Sequence, residues 1–233
     1  MIKVIDYNNL GGADHGWLKA KHHFSFASYQ DPNRVRFGPM RVINDDIVAP
    51  KKGFDSHPHD NMEIITYVRK GAITHKDDMG NQGRTEAGDV QVMSAGTGVV
   101  HSEYNLEDED TSLYQIWMFP NKKNVKPRWD AKKFPKEPVE GKLKPLVTGF
   151  ENSDSESLKI YQDAIIYAGR VNKGKSVNQS IERDQAYVLC SQGKIKIDDT
   201  KIKKGDGAEI TDLKNVNITS LEDSEILFID LPR

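Results

Sequence analysis

The chain has 233 residues and a formal net charge of −2, and charged residues of both signs make up 29% of it. This length allows one large β domain or two domains of about 110 residues each. The balanced charge gives no basic surface that would favour nucleic acid as a partner. No segment has about 18 consecutive apolar residues and the N-terminus lacks a signal-peptide core, so we expect a soluble, cytoplasmic protein.

A single cysteine, Cys190, excludes an intramolecular disulfide framework. It lies in the apolar run AYVLCSQG. We therefore predict a small buried hydrophobic residue at this position and not a nucleophile.

Short runs rich in Val, Ile, Tyr and Phe recur along the chain, separated by Gly, Asp and Asn. Long helical periodicity is nearly absent, so the pattern predicts an all-β fold. The predicted strands, in chain order, are Met62–Arg69, Val90–Met93, Leu113–Phe119, Leu158–Tyr161, Ala164–Val171, Ala186–Cys190, Lys194–Ile197, Gly207–Ile210, Val216–Thr219 and Glu225–Leu231.

Five of the ten prolines lie between Pro120 and Pro145. This density, together with many lysines, predicts a linker over residues 121–145, with one short helical turn around Arg128–Lys133. The linker would separate an N-terminal domain, residues 1–120, from a C-terminal domain, residues 146–233.

The two halves share short patterns in the same order. TYVRKGAITH resembles YVLCSQGKIKI, EAGDVQVM resembles KKGDGAEI, and YQIWMFP resembles ILFIDLP. This order predicts one β-barrel or jelly roll used twice, the alternative being a chance match of short β patterns. All seven histidines lie within the first 101 residues, so we expect the C-terminal barrel to lack metal ligands.

Two pairs of side chains in the N-terminal half have the spacing of metal ligands. In His57-Pro58-His59 both imidazoles point to one face of a strand, with Cα atoms about 6.6 Å apart. His101-Ser102-Glu103 repeats the same spacing. Two such pairs on facing strands of a barrel would give three imidazoles and one carboxylate, arranged around one metal ion.

The segments HPHDNMEIITYVRKG, AGDVQVMSAGTGVVHSEYN and LYQIWMFP resemble the cupin core of the pirin family. With HGWLKAKHHFSFASYQDP and RVINDD upstream, the chain is similar to the short bacterial pirin-like quercetin 2,3-dioxygenases. The resemblance implies two tandem cupin (jelly-roll β-barrel) domains, the first of which binds one metal ion. It implies the ligands His57, His59, His101 and Glu103. The general cupin pattern instead places its glutamate at Glu63, which stays open as the alternative ligand.

Imidazole and carboxylate ligands suit a divalent transition metal, and the family implies Fe(II), with Mn, Co, Ni, Cu or Zn as alternatives. The implied activity is a dioxygenase that opens the heterocycle of flavonols such as quercetin with O₂ and releases CO, with Glu103 as the base. The alternative is a non-catalytic metal-binding or redox-sensing protein that acts through a protein partner. For the enzyme, we expect a monomer whose partners are a small aromatic substrate and O₂, without direct contact to nucleic acid or membrane.

Other candidate residues in the N-terminal half are given structural roles. We predict that Phe24, Phe26 and Tyr29 belong to the core, with the lining of an aromatic substrate pocket as the alternative. We predict that His75 is exposed beside a turn. We expect His22 and His23 to form hydrogen bonds or lie at the surface. The three tryptophans, Trp17, Trp117 and Trp129, are predicted to be packing residues.

Overall fold

The computed structural model describes residues 1–233 and consists almost entirely of β-strands, which confirms the all-β prediction. All ten predicted strands are present. The strands are β1 (Ile2–Ile5), β2 (Gly11–Asp14), β3 (Leu18–His22), β4 (Met40–Val48), β5 (Lys52–His59), β6 (Glu63–Lys70), β7 (Ala72–Asp77), β8 (Gln82–Glu86), β9 (Val90–Ser94), β10 (Val99–Asn105), β11 (Thr111–Met118), β12 (Arg128–Lys132), β13 (Lys144–Gly149), β14 (Leu158–Ile160), β15 (Ile165–Val171), β16 (Ser176–Ser180), β17 (Gln185–Gln192), β18 (Lys194–Ile197), β19 (Thr200–Lys203), β20 (Gly207–Thr211), β21 (Asn215–Ser220) and β22 (Ser224–Leu231). A 3₁₀ turn covers Tyr7–Asn9, and no helix has the length and apolar character needed to cross a membrane.

The chain forms two compact units. The N-terminal unit comprises Gly11–Pro135 and Leu158–Gln162, and the C-terminal unit comprises Met1–Leu10, Lys136–Ser157 and Asp163–Arg233. The domain boundaries inferred from the sequence, at residues 120 and 146, stay predictions.

The helical turn predicted within the proline-rich segment is wrong. Arg128–Lys132 instead forms β12, which pairs antiparallel with β9. Trp129 on this strand packs against the apolar cluster that contains Ile64 and Met93. Burial of the indole ring stabilises an extended segment at the edge of the sheet, which local proline density does not reveal.

The N-terminal unit contains two antiparallel sheets. One has the strand order β12-β9-β6-β11-β4-β3-β2, and the other has the order β5-β10-β7-β8. The strands of the C-terminal unit are arranged in the orders β1-β20-β17-β22-β15-β13 and β16-β21-β18-β19. The order β9-β6-β11-β4 is repeated as β20-β17-β22-β15, and β5-β10-β7-β8 is repeated as β16-β21-β18-β19. The repeat predicted from short sequence patterns is therefore present in the topology.

The C-terminal unit contains a large apolar cluster. The buried side chains of this cluster come from both sheets and include the aliphatic Ile165, Val188, Ile195 and Ile218 and the aromatic Phe228. Cys190 belongs to this cluster, as predicted, and burial raises the pKa of its thiol to about 12. Gln179, which corresponds to His57 in the repeat, pairs with Val216.

A glycine with a positive φ angle follows the equivalent strand in each unit. Gly71 follows β6 with φ +73°, and Gly193 follows β17 with φ +78°. A Cβ atom at Gly193 would lie 2.4 Å from the carbonyl oxygen of Asp223, and one at Gly71 would lie 2.6 Å from the Thr111 hydroxyl. These turns therefore need glycine for its conformation and for its lack of a side chain.

The substitution Gly193→Ala tests this requirement, with Gly174→Ala as its control. Gly174 has a similar φ of +80°, but a Cβ there would meet no atom within 4 Å. At either position alanine must adopt the left-handed backbone conformation, which costs about 1–2 kcal/mol. We expect Gly193→Ala to lower the free energy of unfolding further, because it adds the clash with Asp223. Urea unfolding measures the difference, and equal losses would contradict the steric argument.

Candidate metal centre

The register of β5 and β10 brings three histidines together. His57 lies directly opposite His101 on the neighbouring strand, and His59 is two residues further along β5 on the same face. The ring centroids are 4.5 Å apart for His57 and His101, 4.8 Å for His57 and His59, and 5.1 Å for His59 and His101. One ring nitrogen from each residue lies within 4.8 Å of the other two.

The two residue pairs were predicted on facing strands, and this detail is wrong. β5 and β10 are adjacent, hydrogen-bonded strands of one sheet. Directly opposed residues on an antiparallel pair have Cβ atoms about 4.5–5.5 Å apart, close enough for their rings to converge. The three imidazoles therefore meet on one sheet face and not across the barrel.

Hydrogen bonds identify the ring nitrogens that are available to a metal. His57 Nδ1 lies 2.6 Å from the Asp55 carbonyl oxygen, so it donates its proton there and leaves Nε2 as an acceptor. His101 Nδ1 lies 3.3 Å from His75 Nδ1, while His101 Nε2 is buried without any hydrogen-bond partner. A buried, unpartnered imidazole nitrogen is costly unless a ligand satisfies it.

Burial keeps these rings in the form that binds metals. Desolvation, reinforced by the neighbouring imidazoles, lowers the pKa of His101 to about 3. The same causes lower the pKa of His59 to about 4. Both rings are thus neutral at pH 7, and a neutral imidazole is a common ligand for divalent transition metals. The residues present fit such an ion.

Glu103 lies on β10 but outside the three-histidine cluster. A register shift between His101 and Glu103 places Glu103 opposite Phe54. Its buried carboxylate accepts hydrogen bonds from Gln91 Nε2 at 2.6 Å and Gln115 Nε2 at 2.7 Å, and from the Thr66 hydroxyl at 3.2 Å. Burial outweighs these bonds and raises its pKa to about 7. Its role as the fourth ligand stays a prediction.

Glu63, the alternative carboxylate, has a different environment. Its Oε2 accepts hydrogen bonds from the Ser94 hydroxyl at 2.8 Å and the Tyr161 backbone N–H at 3.1 Å. Glu63 is buried, which raises its pKa to about 7, but it does not line the cavity beside the histidines. Glu103 does line that cavity, so the structure favours Glu103 for any role there.

A cavity of about 380 Å³ opens beside His57, His59 and Glu103. Its walls combine aromatic rings with a few polar groups. The aromatic lining residues are Trp17, Phe26, Phe54 and Trp117, and the polar ones include His15, His22, Asn44, Asp46, Asp55 and Gln115. Trp117 contacts His59 edge to face at 4.9 Å, which joins the aromatic wall to the histidine cluster.

Several structural roles predicted for these aromatics need correction. Phe24 is buried, as predicted for a core residue, but Phe26 lines the cavity and contacts Trp117 edge to face at 5.5 Å. Trp17 and Trp117 also line the cavity, beyond their predicted packing role. The chain around Phe26 forms only an isolated bridge, so strand alternation does not determine where the ring points.

His75 was predicted to be exposed, and this is wrong. It is fully buried and lies on β7, between β8 and β10. Its Nε2 lies 3.1 Å from Asp77 Oδ2, and its ring stacks on Trp129 at 4.9 Å. A sequence signal existed, because His75-Lys76-Asp77 has the same spacing as the two other pairs. His22 and His23 are both buried, and His22 forms the predicted hydrogen bond, with Asn44.

Two cupin barrels, of which the first gathers three imidazoles beside a cavity, define a bicupin with one candidate metal centre. The Pirin family profile matches residues 4–118, and the profile of the quercetinase C-terminal cupin domain matches residues 148–231. The chain belongs to the pirin family.

Relatives of known name cover almost the whole chain. It is 49% identical to a Zymomonas mobilis protein provisionally named a quercetin 2,3-dioxygenase, over 98% of this chain and 97% of that protein. It is 42% identical to the quercetin 2,3-dioxygenase of Escherichia coli, over 100% and 99% of the two chains. The nickel(II) complex of the E. coli pirin YhhW superposes with a TM-score of 0.92 at 38% identity, covering 100% and 99%.

If the histidine cluster binds the metal ion, replacing one of its histidines should weaken metal binding. We expect His57→Ala to lower Ni(II) affinity more than about 100-fold, because removal of a direct ligand should exceed the 10–100-fold effect of losing an outer partner. His15→Ala is the control, since His15 lines the same cavity but lies outside the cluster. Metal content after dialysis against a chelator measures the effect. Full retention by His57→Ala would contradict the assignment.

Proposed function

We propose that this protein is a metal-dependent dioxygenase that opens the heterocycle of flavonols such as quercetin with O₂ and releases CO. The observation that carries the proposal is the aromatic-lined cavity of about 380 Å³ directly beside the histidine cluster. Small-molecule sites of about 300–1,000 Å³ hold drug-sized ligands, and a flavonol is of that size. Relatives named quercetin 2,3-dioxygenase support the choice of substrate.

In this proposal one divalent metal ion, Fe(II) by family resemblance, is held by His57, His59, His101 and Glu103. When bound, such an ion supplies the Lewis acidity that favours an ionised substrate hydroxyl and the redox chemistry that O₂ requires. The nickel(II) complex of the E. coli pirin YhhW supports the choice of a divalent transition metal.

Glu103 is the proposed base, which takes the proton from the flavonol 3-hydroxyl. A base needs affinity for a proton, and burial raises the pKa of the Glu103 carboxyl in the metal-free site. Gln91, Gln115 and Thr66 donate hydrogen bonds to the two carboxylate oxygens, and these neutral donors orient the carboxylate.

Aromatic side chains orient the substrate in this proposal. Trp117 and Phe26 meet edge to face at one part of the cavity wall, with ring centroids 5.5 Å apart. Trp17 and Phe54 do so at another part, with ring centroids 5.3 Å apart. Flat aromatic substrates gain stacking and edge contacts from such rings beyond simple burial. The same rings exclude water from the reacting atoms.

Asp46 supplies a polar contact in the cavity wall. Its side chain is buried and lines the cavity, and its Oδ1 has no hydrogen-bond partner. Burial, aided by the negative charges of Asp45 and Glu103, raises its pKa to about 8. This shift favours the protonated form of Asp46, which could donate a hydrogen bond to a substrate oxygen.

The alternative function is a non-catalytic metal-binding or redox-sensing protein that acts through a protein partner. Such a protein needs the histidine cluster but no cavity beside it. The aromatic cavity, which Asp46 also lines, therefore favours the enzyme.

Turnover of quercetin under air tests the proposal directly. Metal-loaded protein should remove the flavonol absorbance and release CO, and Glu103→Gln should lower the rate by at least about 100-fold, as expected for loss of a general base. Glu63→Gln is the control, because the amide oxygen can still accept from Ser94 and Tyr161. A fully metallated wild-type protein that leaves quercetin and other flavonols intact would reject the function.

Asp46 can be tested through substrate affinity. We expect Asp46→Ala to raise KM for quercetin about tenfold, which corresponds to the loss of about 1.4 kcal/mol from one hydrogen bond. Asp46→Asn keeps an N–H donor and should stay close to the wild-type KM. Steady-state kinetics at pH 7 separates the two, and an unchanged KM in Asp46→Ala would exclude contact with the substrate.

A further inference from the structure

Three buried side chains form a continuous hydrogen-bonded row behind the histidine cluster. His101 Nδ1 lies 3.3 Å from His75 Nδ1, and His75 Nε2 lies 3.1 Å from Asp77 Oδ2. The row crosses from β10 to β7, whose register pairs His101 with Asp77 and Glu103 with His75. His101 is thus the only member of the row that also belongs to the three-histidine cluster.

The acceptor at the far end of the row is fixed by the β7–β8 turn. Asp77 Oδ1 accepts hydrogen bonds from the backbone N–H groups of Met79 at 3.0 Å and Asn81 at 2.9 Å. Asp77 Oδ2 accepts a further one from Asn81 Nδ2 at 2.9 Å, in addition to facing His75. A carboxylate with these donors is an ionised, acceptor-only group, so the proton between Asp77 and His75 belongs to His75 Nε2.

This assignment determines every proton in the row. A neutral His75 with its proton on Nε2 has a lone pair on Nδ1, so His101 must donate from its own Nδ1. His101 Nε2 is then left as a lone pair, and it is the atom that has no partner within the protein. The His75 ring also stacks on the Trp129 ring with an interplanar angle of 8°, and this contact restricts rotation of the imidazole.

We propose that Asp77 and His75 are positioning residues that fix the tautomer and the orientation of His101, so that its Nε2 lone pair is presented to the metal ion. This inference rests on the proposed metal centre but not on the flavonol reaction. A ligating histidine commonly donates its second N–H to an outer acceptor, and losing that partner typically costs about 10- to 100-fold in metal affinity. Here the acceptor is a second imidazole, which is itself oriented by a carboxylate.

The test measures binding of cobalt(II) chloride to metal-free protein by chelator competition, together with the visible spectrum of the cobalt protein. Asp77→Asn is the sharpest variant. Because Oδ1 accepts from two backbone N–H groups, the asparagine oxygen takes that place. Its amino group then replaces Oδ2, where it faces His75 and loses the hydrogen bond from Asn81 Nδ2. The amino group donates to His75 Nε2, which reverses the row and moves the His101 proton to Nε2. An analogous change of tautomer accompanies replacement of the aspartate in a serine-protease triad.

We expect Asp77→Asn and His75→Phe to weaken Co(II) binding by about 10- to 100-fold and to change its visible spectrum. His75→Gln is the rescue variant, because its amide oxygen can accept from His101 and its amino group can donate to Asp77. It should bind Co(II) within about threefold of wild type, as His15→Ala should. Thermal unfolding of each metal-free variant identifies losses that come from misfolding.

The outcomes separate this proposal from the proposed activity. If Asp77→Asn keeps the wild-type Co(II) affinity and spectrum, Asp77 and His75 do not position His101. If His75→Gln does not restore Co(II) binding, His75 acts only through packing. A wild-type protein that takes up no Co(II) would overturn the metal centre and the row together. Normal Co(II) binding without quercetin turnover would reject only the activity.

Discussion

The antiparallel register between β5 and β10 is the constraint on which the candidate site depends. It sets His57 directly against His101, and the two-residue period of β5 brings His59 to the same face. A slip of one residue would turn a whole set of side chains to the opposite face of the sheet. The shift between His101 and Glu103 is equally specific, since it moves Glu103 opposite Phe54 and towards the cavity.

The two units show how one topology serves two purposes. In the C-terminal unit the repeated strand order encloses an apolar cluster, which stabilises the fold through burial. In the N-terminal unit part of the interior is a cavity with buried carboxyl groups, and such groups are costly to desolvate. Because desolvation disfavours the charged carboxylate, the pKa values of Asp46 and Glu103 are raised.

Sequence patterns predicted what depends on local periodicity. The ten strands, the repeat, and the inward pairing of His57 with His59 all follow from the two-residue period of β structure. Patterns failed where distant partners decide the outcome. Trp129 on β12 packs on a remote apolar cluster, and its ring also stacks on His75, which covers that histidine. The pairing of β5 with β10 likewise depends on how the whole sheet is assembled, and the sequence of either strand alone does not reveal it.

Two buried glutamates with the same raised pKa show why residue type alone could not decide the candidate base. Glu63 accepts hydrogen bonds from Ser94 and from a backbone N–H, and it does not line the cavity. Glu103 is held by side-chain donors, Gln91, Gln115 and Thr66, and borders the cavity directly. Burial raises the pKa of both groups, but of the two only Glu103 borders the cavity, which supports Glu103 as the proposed base.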